Sequence, residues 1–231
     1  MLYVVSPHID DAILSIGGII AGLKGKQDLV IKYVFSTSNW VNPEITFVAG
    51  LLGKTELVTE QRVKEEAALS ALYDYKTDMM GFLDLPLRQG ISIEKTAIDV
   101  QKKLAGSITK KDTCIFPMGI GHPDHVLVSA VGFYLRKKGF RTLFYEDLPY
   151  ASSATDAVMH IATGQKLEPV DYKIDLEEKL RAIRMYESQV PESWSQLVSR
   201  HSTGHVPGAT IERLWKPAGT NRQYELTQLR S

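Results

Sequence analysis

The sequence predicts an α/β fold, in which a mostly parallel, doubly wound sheet lies between two layers of helices. Over the first two-thirds of the chain, short apolar runs alternate with longer segments of helical periodicity, the pattern of successive βαβ units. Several apolar runs are continuous rather than alternating, as expected of strands buried on both faces. The 231 residues suffice for one large domain with a substantial apolar interior.

The predicted strands and helices follow one another regularly. Apolar, β-branched runs predict strands at residues 2–5, 30–36, 79–83, 113–117 and 142–146. Helical spacing predicts helices at residues 12–24, 60–75, 93–104 and 125–137. In the first helix, Ile13, Ile16 and Ile20 share one face at intervals of three and four residues. Right-handed crossovers between the parallel strands complete the doubly wound arrangement.

The last third of the chain lacks this alternation. Asp175 is placed to cap a helix, with Glu178 at the reciprocal capping position, and Pro191 ends the helical pattern. Residues 193–217 are rich in Ser, Gly, His and Pro, and they include a late loop with His201 and His205.

The composition excludes several classes of function. Lysine and arginine number 27, as do aspartate and glutamate, so no basic field attracts nucleic acid or an anionic membrane. Cys114 is the single cysteine, which excludes an intramolecular disulfide and multi-cysteine metal sites. The longest uncharged apolar stretch, residues 12–23, is shorter than the roughly 20 residues of a membrane span. Because the first residues also lack a basic leader, we expect a cytoplasmic protein.

The turn after the first predicted strand contains His8, Asp10 and Asp11. Ligands of open parallel sheets bind at the carboxyl ends of the strands, so these residue types have a geometric reason to form a site here. His8 and Asp11 are three residues apart and can approach one point. The structural alternative is that one aspartate is only the helix cap and that His8 is an ordinary loop residue.

The turn after the fourth predicted strand contains His122, Asp124 and His125. Both imidazoles can face the same cavity, and Asp124 can hold one ring in a fixed tautomer. The structural alternative is that Pro123 and Asp124 are an ordinary helix start. That alternative does not explain why three of the six histidines occupy two turns that a parallel sheet brings to the same edge.

Together the two turns offer imidazoles and one carboxylate for a divalent ion, with a second carboxylate left over. Two His and one Asp form a sound catalytic zinc site, because three protein ligands leave a fourth position open for water. Zinc lowers the pKa of such a water to about 7, and an adjacent carboxylate can take its proton. An imidazolium on the other side can stabilise the oxyanion and protonate a leaving amine. The residues predict a metal-assisted hydrolase without deciding which histidine is a ligand.

At these turns the chain resembles the PIG-L/LmbE-like family of zinc-dependent N-acetylglucosamine deacetylases, whose signatures are a Pro-His-x-Asp-Asp turn and a His-x-x-His turn. Residues 62–68 resemble the family's Arg-x-x-Glu helix, residues 143–150 its later strand and residues 179–189 its C-terminal helix. The likeness covers about residues 3–190, and residues 212–215 show a weaker similarity. The resemblance implies a Rossmann-like three-layer sandwich, the LmbE-like deacetylase fold.

The resemblance also implies a role for each residue of the two turns. His8, Asp11 and His125 would bind the metal, which is Zn²⁺ in the family, although other divalent transition metals also suit such ligands. Asp10 would be the general base that activates the water. His122 would stabilise the tetrahedral oxyanion or act as the acid.

Loops around the site formed by the two turns are expected to bind the substrate. Asn39 and Trp40 follow the second predicted strand and suit a sugar, although an ordinary polar loop with one packed Trp explains them equally well. Arg62 either reaches a substrate hydroxyl or phosphate, or pairs with a glutamate of its own helix. Asp147 and Tyr150 lie at a strand exit and are expected at the rim of the site.

We expect a single domain over residues 1–231. An α/β core at residues 1–150 would carry the metal site, and a C-terminal region at residues 151–231 would complete the substrate rim. Within that region, His201 and His205 lie in a Gly-containing segment and are interpreted as solvated loop residues.

The leading hypothesis is a metal-dependent hydrolase that removes the N-acetyl group from an N-acetylglucosamine-containing substrate, a small molecule or a glycan. One alternative is a metal-dependent amidohydrolase acting on a non-sugar N-acyl small molecule. Another is a non-catalytic carbohydrate-binding protein, against which the intact base and ligand set argue. We expect no nucleic acid and no membrane partner, and the sequence leaves a homo-oligomer open.

Overall fold

A seven-stranded sheet flanked by helices forms the described part of the chain, residues 1–220 and 226 of a computed structural model, with the side chains of residues 47–49 not described. The strands are β1 Leu2–Ser6, β2 Leu29–Tyr33, β3 Lys76–Met79, β4 Thr113–Pro117, β5 Arg141–Tyr145, β6 Leu167–Lys173 and β7 Ile211–Pro217. The helices are α1 Asp11–Gly22, α2 Thr55–Tyr73, α3 Ile93–Ser107, α4 Pro123–Lys137, α5 Thr155–Gly164, α6 Leu176–Arg184 and α7 Glu192–Gly204.

The direction of winding reverses in the middle of the sheet. The strand order is β3-β2-β1-β4-β5-β7-β6, in which β1 to β5 are parallel and β7 is antiparallel to both β5 and β6. The chain runs outward from β1 to β3, then returns to the middle at β4, where Leu2 of β1 pairs with Thr113. Such a reversal leaves a crevice beyond the strand ends. The predicted α/β class and mostly parallel sheet are confirmed.

The middle strands are apolar throughout because helices cover both faces of the sheet. Val4, Ile31, Ile115 and Leu143 are each at most 1% exposed. Burial of such a side chain contributes about 1.5–3 kcal/mol relative to leaving it in water. Helix α1 packs against α6, and α3 packs against α4. Among the described residues, no helix combines the length and the apolar character needed to cross a membrane.

Helix α1 is interrupted at Ile16, whose backbone angles (φ −132°, ψ 29°) are not helical. The carboxylate of Glu212 accepts hydrogen bonds from two consecutive backbone N–H groups, the first of them that of Gly18 (2.9 and 2.7 Å). Lys179 Nζ donates to the carbonyl of Ser15 (3.2 Å) and pairs with Glu212 Oε1 (2.8 Å). The buried ion pair therefore satisfies the backbone groups that the interruption leaves free.

Residues 193–217, for which the sequence predicted no regular element, contribute to two of them. This segment contains most of helix α7 and the whole of strand β7, which lies between β5 and β6 in the sheet. Val198 and Leu214 are fully buried, so tertiary packing stabilises elements whose Ser and Gly content indicated a loop. The expected end of the domain, residues 221–231 apart from Leu226, lies outside the described residues.

Strand β3 also differs from its prediction, because it spans Lys76–Met79 rather than residues 79–83. It is the edge strand of the sheet, and its first residues, Lys-Thr-Asp, are polar and largely exposed. An apolar pattern finds strands with buried faces and misses an edge strand in contact with water.

Candidate metal centre and active-site cavity

The two histidine-containing turns are neighbours in the structure. The β1–α1 turn carries His8, Asp10 and Asp11, and the β4–α4 turn carries His122 and His125. Strands β1 and β4 are hydrogen-bonded to each other, so both turns lie at the same edge of the sheet, at the point where the winding reverses. The fold therefore explains why distant parts of the sequence share one site.

One carboxylate oxygen of Asp11 lies close to a ring nitrogen of His8 and to a ring nitrogen of His125. Asp11 Oδ2 lies 3.0 Å from His8 Nδ1 and 3.1 Å from His125 Nε2. Ligands bound about 2.0–2.2 Å from a tetrahedral ion lie roughly 3.3 Å from one another, so this spacing fits zinc or a similar ion. His125 Nε2 is buried and has no aligned hydrogen-bond partner among the described residues, as expected of a nitrogen that serves a metal.

His8 and His125 each contact a second carboxylate through the ring nitrogen that faces away from Asp11. Asp124 Oδ2 lies 3.2 Å from His8 Nε2, and Asp147 Oδ1 lies 2.7 Å from His125 Nδ1. Both carboxylates are fully buried. Such pairs fix the tautomer of an imidazole, so that its other nitrogen faces the metal. Asp147 is thus not at the substrate rim where the sequence placed it, because its side chain points inward from the end of β5.

The centre favours positive charge. Burial alone would lower the pKa of His8 and of His125, but the charge of Asp11 raises the pKa of both rings. With the hydrogen bonds of His8 to Asp11 and of His125 to Asp147, the pKa reaches about 9 for His8 and about 10 for His125. Burial opposes ionisation of Asp11, yet the two rings hold its pKa well below the usual range. A divalent cation would supply this positive charge in place of the ring protons.

His122 lies beside the same centre. One ring nitrogen each of His8, His122 and His125 falls within 4.8 Å of the others. His122 Nδ1 accepts a hydrogen bond from the backbone N–H of Asp124 (3.2 Å) at the start of α4, which leaves Nε2 to carry the proton. Burial and the two neighbouring histidines lower the pKa of His122 to about 4. The lowered pKa favours a neutral ring whose Nε2–H can donate a hydrogen bond, whereas the sequence allowed an imidazolium at this place.

Asp10 borders the cavity and does not cap helix α1 with its side chain. Ser6 Oγ instead accepts a hydrogen bond from the N–H of Ala12 (3.0 Å). Asp10 occupies the N-cap position of α1, but its carboxylate makes no capping hydrogen bond, so a helix cap does not account for the side chain. Burial and the charge of Asp11 raise the pKa of Asp10, an effect that Arg62 partly offsets. A raised pKa makes a carboxylate a more effective proton acceptor near neutrality.

A cavity of about 210 Å³ opens in front of these groups. Its walls are His8, Asp10, Asp11, Trp40, Arg62, Asp84, Pro86, His122, Tyr150 and Trp194. Histidine, carboxylate, arginine and aromatic side chains thus meet in one concave site, as in a small-molecule pocket.

Three of the five residues expected to bind substrate line this cavity. Trp40, Arg62 and Tyr150 do so, whereas Asn39 lies outside its walls and Asp147 lies behind His125. Arg62 donates to the carbonyl of Trp40 (3.1 Å), and its guanidinium lies 5.6 Å from the centre of the Trp40 ring.

The glutamates of helix α2 have other partners than Arg62. Glu65 accepts hydrogen bonds from the N–H (2.8 Å) and hydroxyl (2.7 Å) of Ser188, and Glu66 accepts from the hydroxyl of Tyr75 (2.8 Å). The structural alternative, in which Arg62 pairs within its own helix, is therefore wrong.

Sequence reasoning missed three residues of the site. Asp84 lines the cavity, and its buried Oδ1 has no hydrogen-bond partner among the described residues. Arg88 forms a buried ion pair with Asp124, and Trp194 reaches the cavity from α7. Asp84 follows a strand end and could have been found by the rule that located the two turns. No sequence pattern marks Arg88, and Trp194 lies in a segment for which the sequence predicted no regular element.

Comparisons with known proteins agree with this geometry. No protein-family model matches the chain. The 2'-N-acetylparomamine deacetylase of Streptomyces fradiae is 30% identical, over 93% of this chain and 88% of its own length.

Two solved deacetylases share the fold. One belongs to the teicoplanin biosynthesis pathway, with 20% identity and a TM-score of 0.71, over 95% of this chain and 99% of that chain. The other is the N,N'-diacetylchitobiose deacetylase from Pyrococcus horikoshii, with 18% identity and a TM-score of 0.64, over 94% and 83% of the two chains. At these identities the solved structures establish the fold, while the curated relative from Streptomyces fradiae establishes the family. The chain therefore belongs to the PIG-L/LmbE-like family of zinc-dependent deacetylases and is a metal-dependent hydrolase of that family.

Proposed function

We propose that this deacetylase removes the N-acetyl group from an N-acetylglucosamine-type amino sugar, carried on a small molecule or a glycan. The observation that carries the proposal is Asp10 beside the cluster of His8, Asp11 and His125, in one cavity with aromatic and charged walls. The name of the Streptomyces fradiae relative, 2'-N-acetylparomamine deacetylase, supports the sugar class of substrate. The zero net charge of the chain suits a neutral acetylated sugar better than a polyanion.

In this proposal His8 Nδ1, His125 Nε2 and a carboxylate oxygen of Asp11 hold a divalent metal. Zn²⁺ is the first choice, because three such ligands leave one position open, although other divalent transition ions accept the same donors. When bound, the ion supplies a Lewis acid for the amide carbonyl and lowers the pKa of a water molecule. Asp124 and Asp147 orient the two imidazoles.

The proton transfers fall to Asp10 and His122. Asp10 takes a proton from the attacking water and returns it to the amide nitrogen as the C–N bond breaks, so that acetate and a free amine leave. His122 donates its Nε2–H to the carbonyl oxygen as that oxygen gains negative charge. A neutral imidazole suits this role, since it needs only the proton that Nε2 carries.

The remaining walls would bind the sugar. Asp84 Oδ1 is buried without a partner among the described residues and would accept a hydrogen bond from a sugar hydroxyl. Arg62 would donate to another oxygen of the substrate. Trp40, Tyr150 and Trp194 offer aromatic surface to the apolar face of the ring. Because Trp194 belongs to α7, the C-terminal region would complete the substrate rim.

A substrate panel tests the sugar class. The zinc-loaded enzyme is assayed for acetate release from N-acetylglucosamine, its glycosides and N-acetylated aminoglycosides, beside N-acetyl amino acids and simple acetamides. We expect turnover of amino sugars and none of the others. Release from non-sugar acetamides alone would show a small-molecule amidohydrolase instead. Metal-independent sugar binding without any turnover would show a binding protein.

Asp10→Asn tests the assignment of the base. The variant should bind as much zinc as the wild type, while kcat falls by roughly 10²–10⁴-fold, the usual contribution of a general base. Asp156→Asn, at an exposed position, is the matched control and should keep full activity. Wild-type turnover by Asp10→Asn would overturn the assignment.

A further inference from the structure

A second cluster of metal-binding side chains lies outside the proposed active site. It consists of Glu146, at the end of β5, and of His201 and His205, on and just after α7. The sequence interpretation placed both histidines in a solvated loop, which is wrong. Their side chains are only 14% and 17% exposed, and Glu146 is 6% exposed. The two rings share one side of the helix because they are four residues apart.

Hydrogen bonds do not account for this arrangement. His201 Nε2 lies 2.7 Å from Glu146 Oε2 and 3.0 Å from His205 Nε2, so one N–H would have to serve two partners. The third distance, between His205 Nε2 and Glu146 Oε2, is 3.6 Å and is too long for a hydrogen bond. Three atoms with lone pairs thus converge with too few protons between them.

A metal ion satisfies all three atoms at once. Their separations of 2.7, 3.0 and 3.6 Å scatter about the roughly 3.3 Å between ligands of a tetrahedral ion. The distances from Asp11 Oδ2 to His8 Nδ1 and to His125 Nε2 in the proposed active site, 3.0 and 3.1 Å, are similar. Trp215 Nε1 donates to Glu146 Oε1 (2.9 Å), which fixes the carboxylate and leaves Oε2 for the ion.

We propose that Glu146, His201 and His205 form a second divalent-metal site, with Zn²⁺ as the ion that fits two imidazoles and one carboxylate. The three side chains line an open cavity of about 550 Å³, which admits the ion and the water for its fourth position. The site joins the C-terminal end of α7 to β5. Since α7 also carries Trp194, a bound ion restrains a helix that forms part of the active-site wall.

The test compares zinc stoichiometry in three proteins. Each is stripped with a chelator, reloaded with excess Zn²⁺, dialysed and analysed for bound metal. We expect two equivalents in the wild type and one in the double variant H201A/H205A. His160→Ala, at an exposed histidine outside both clusters, is the matched control and should keep two equivalents. A single equivalent in the wild type, or two in the double variant, would overturn the second site.

Two further measurements separate metal loss from misfolding. Glu146→Gln keeps the shape of the side chain but removes the charged ligand oxygen. It should weaken binding of the second zinc equivalent by at least the roughly 10–100-fold that loss of an orienting residue costs, with the affinity of the first unchanged. In the wild type, the second equivalent should raise Tm by roughly 5 °C and slow hydrogen exchange in α7. Unchanged binding of the second equivalent by Glu146→Gln, or unchanged exchange in α7, would contradict the proposal. These readouts do not involve the substrate, so they are independent of the proposed deacetylation.

Discussion

Two carboxylates behind the metal-facing histidines show how single residues determine the site. Asp124 comes from the β4–α4 turn and orients His8 of the β1–α1 turn, while Asp147 comes from the end of β5 and orients His125. Each turn therefore depends on a residue from another part of the chain. The affinity for metal is expected to depend on these carboxylates as well as on the ligands themselves.

Replacement of Asp147 by Asn tests this dependence. The amide cannot hold the imidazole of His125 by a charged hydrogen bond, so we expect zinc affinity to fall by roughly 10–100-fold. Competition with a chromogenic chelator measures the affinity, and Asp156→Asn, at an exposed position, provides the baseline. Equal affinities for the two variants would contradict an orienting role for Asp147.

Replacement of His122 by Ala decides between a donor and a ligand. As a donor to the developing oxyanion, His122 contributes roughly 10²–10³-fold to kcat, and its loss should leave KM and zinc content nearly unchanged. His125→Ala should instead lose the metal. If His122→Ala also lost the metal, His122 would be a ligand, an arrangement that the close approach of the three rings permits.

At the scale of elements, the interruption of α1 depends on a buried ion pair. Lys179 and Glu212, on α6 and β7, are at most 3% exposed and bind the free backbone groups of the helix that begins at Asp11. An α1 without the interruption at Ile16 would satisfy these backbone groups within the helix and would not need the ion pair. The pair joins the site-bearing helix to two elements of the C-terminal region.

Lys179→Met should leave the Glu212 carboxylate buried without its partner. Loss of one member of a buried pair costs about 3–5 kcal/mol, so the free energy of unfolding should fall by that amount in urea titrations. Lys173→Met removes an exposed ammonium from β6 and should change the stability by less than about 0.5 kcal/mol. Similar stabilities of the two variants would show that the pair contributes nothing.

At the scale of the whole molecule, a buried carboxyl group makes stability depend on pH. Glu66 of α2 is fully buried and accepts hydrogen bonds from Tyr75 (2.8 Å) and from Tyr186, which follows α6. Burial raises the pKa of Glu66 from 4.5 to about 7, although the tyrosine hydroxyls oppose the shift. The folded protein therefore holds this proton over a pH range in which the unfolded chain has lost it.

Comparison of the wild type with Glu66→Gln isolates this effect. The contribution of Glu66 is fully present below pH 4.5 and is lost as the pH rises through about 7. Relative to the variant, the wild type should lose stability on the order of 3 kcal/mol between these limits. Urea unfolding at several pH values measures the difference. A difference that stays constant with pH would contradict the raised pKa.

Much of the site is predictable because its geometry follows from chain order. Residues directly after buried parallel strands lie at one sheet edge, so the turns with His8, Asp11, His122 and His125 were expected to meet. The choice of His125 over His122 as a ligand rests on the family resemblance. Asp84 obeys the same rule, because it directly follows the strand predicted at residues 79–83. It was missed because it stands alone, without a histidine or a second aspartate beside it. The assigned roles, the one-domain organisation and the cytoplasmic location stay predictions.

The sequence by itself determined the fold class, the family and the two histidine-containing turns, because apolar periodicity and adjacent motif residues are local features. Only the tertiary structure decided which way Glu146 and Asp147 face. Consecutive residues of an extended chain point to opposite sides. Packing directs Asp147 to His125 on one side of the chain and Glu146 to His201 on the other. His201 lies on a helix that is stable only when it packs against the rest of the protein. That choice depends on contacts between residues far apart in the chain, which no local pattern encodes.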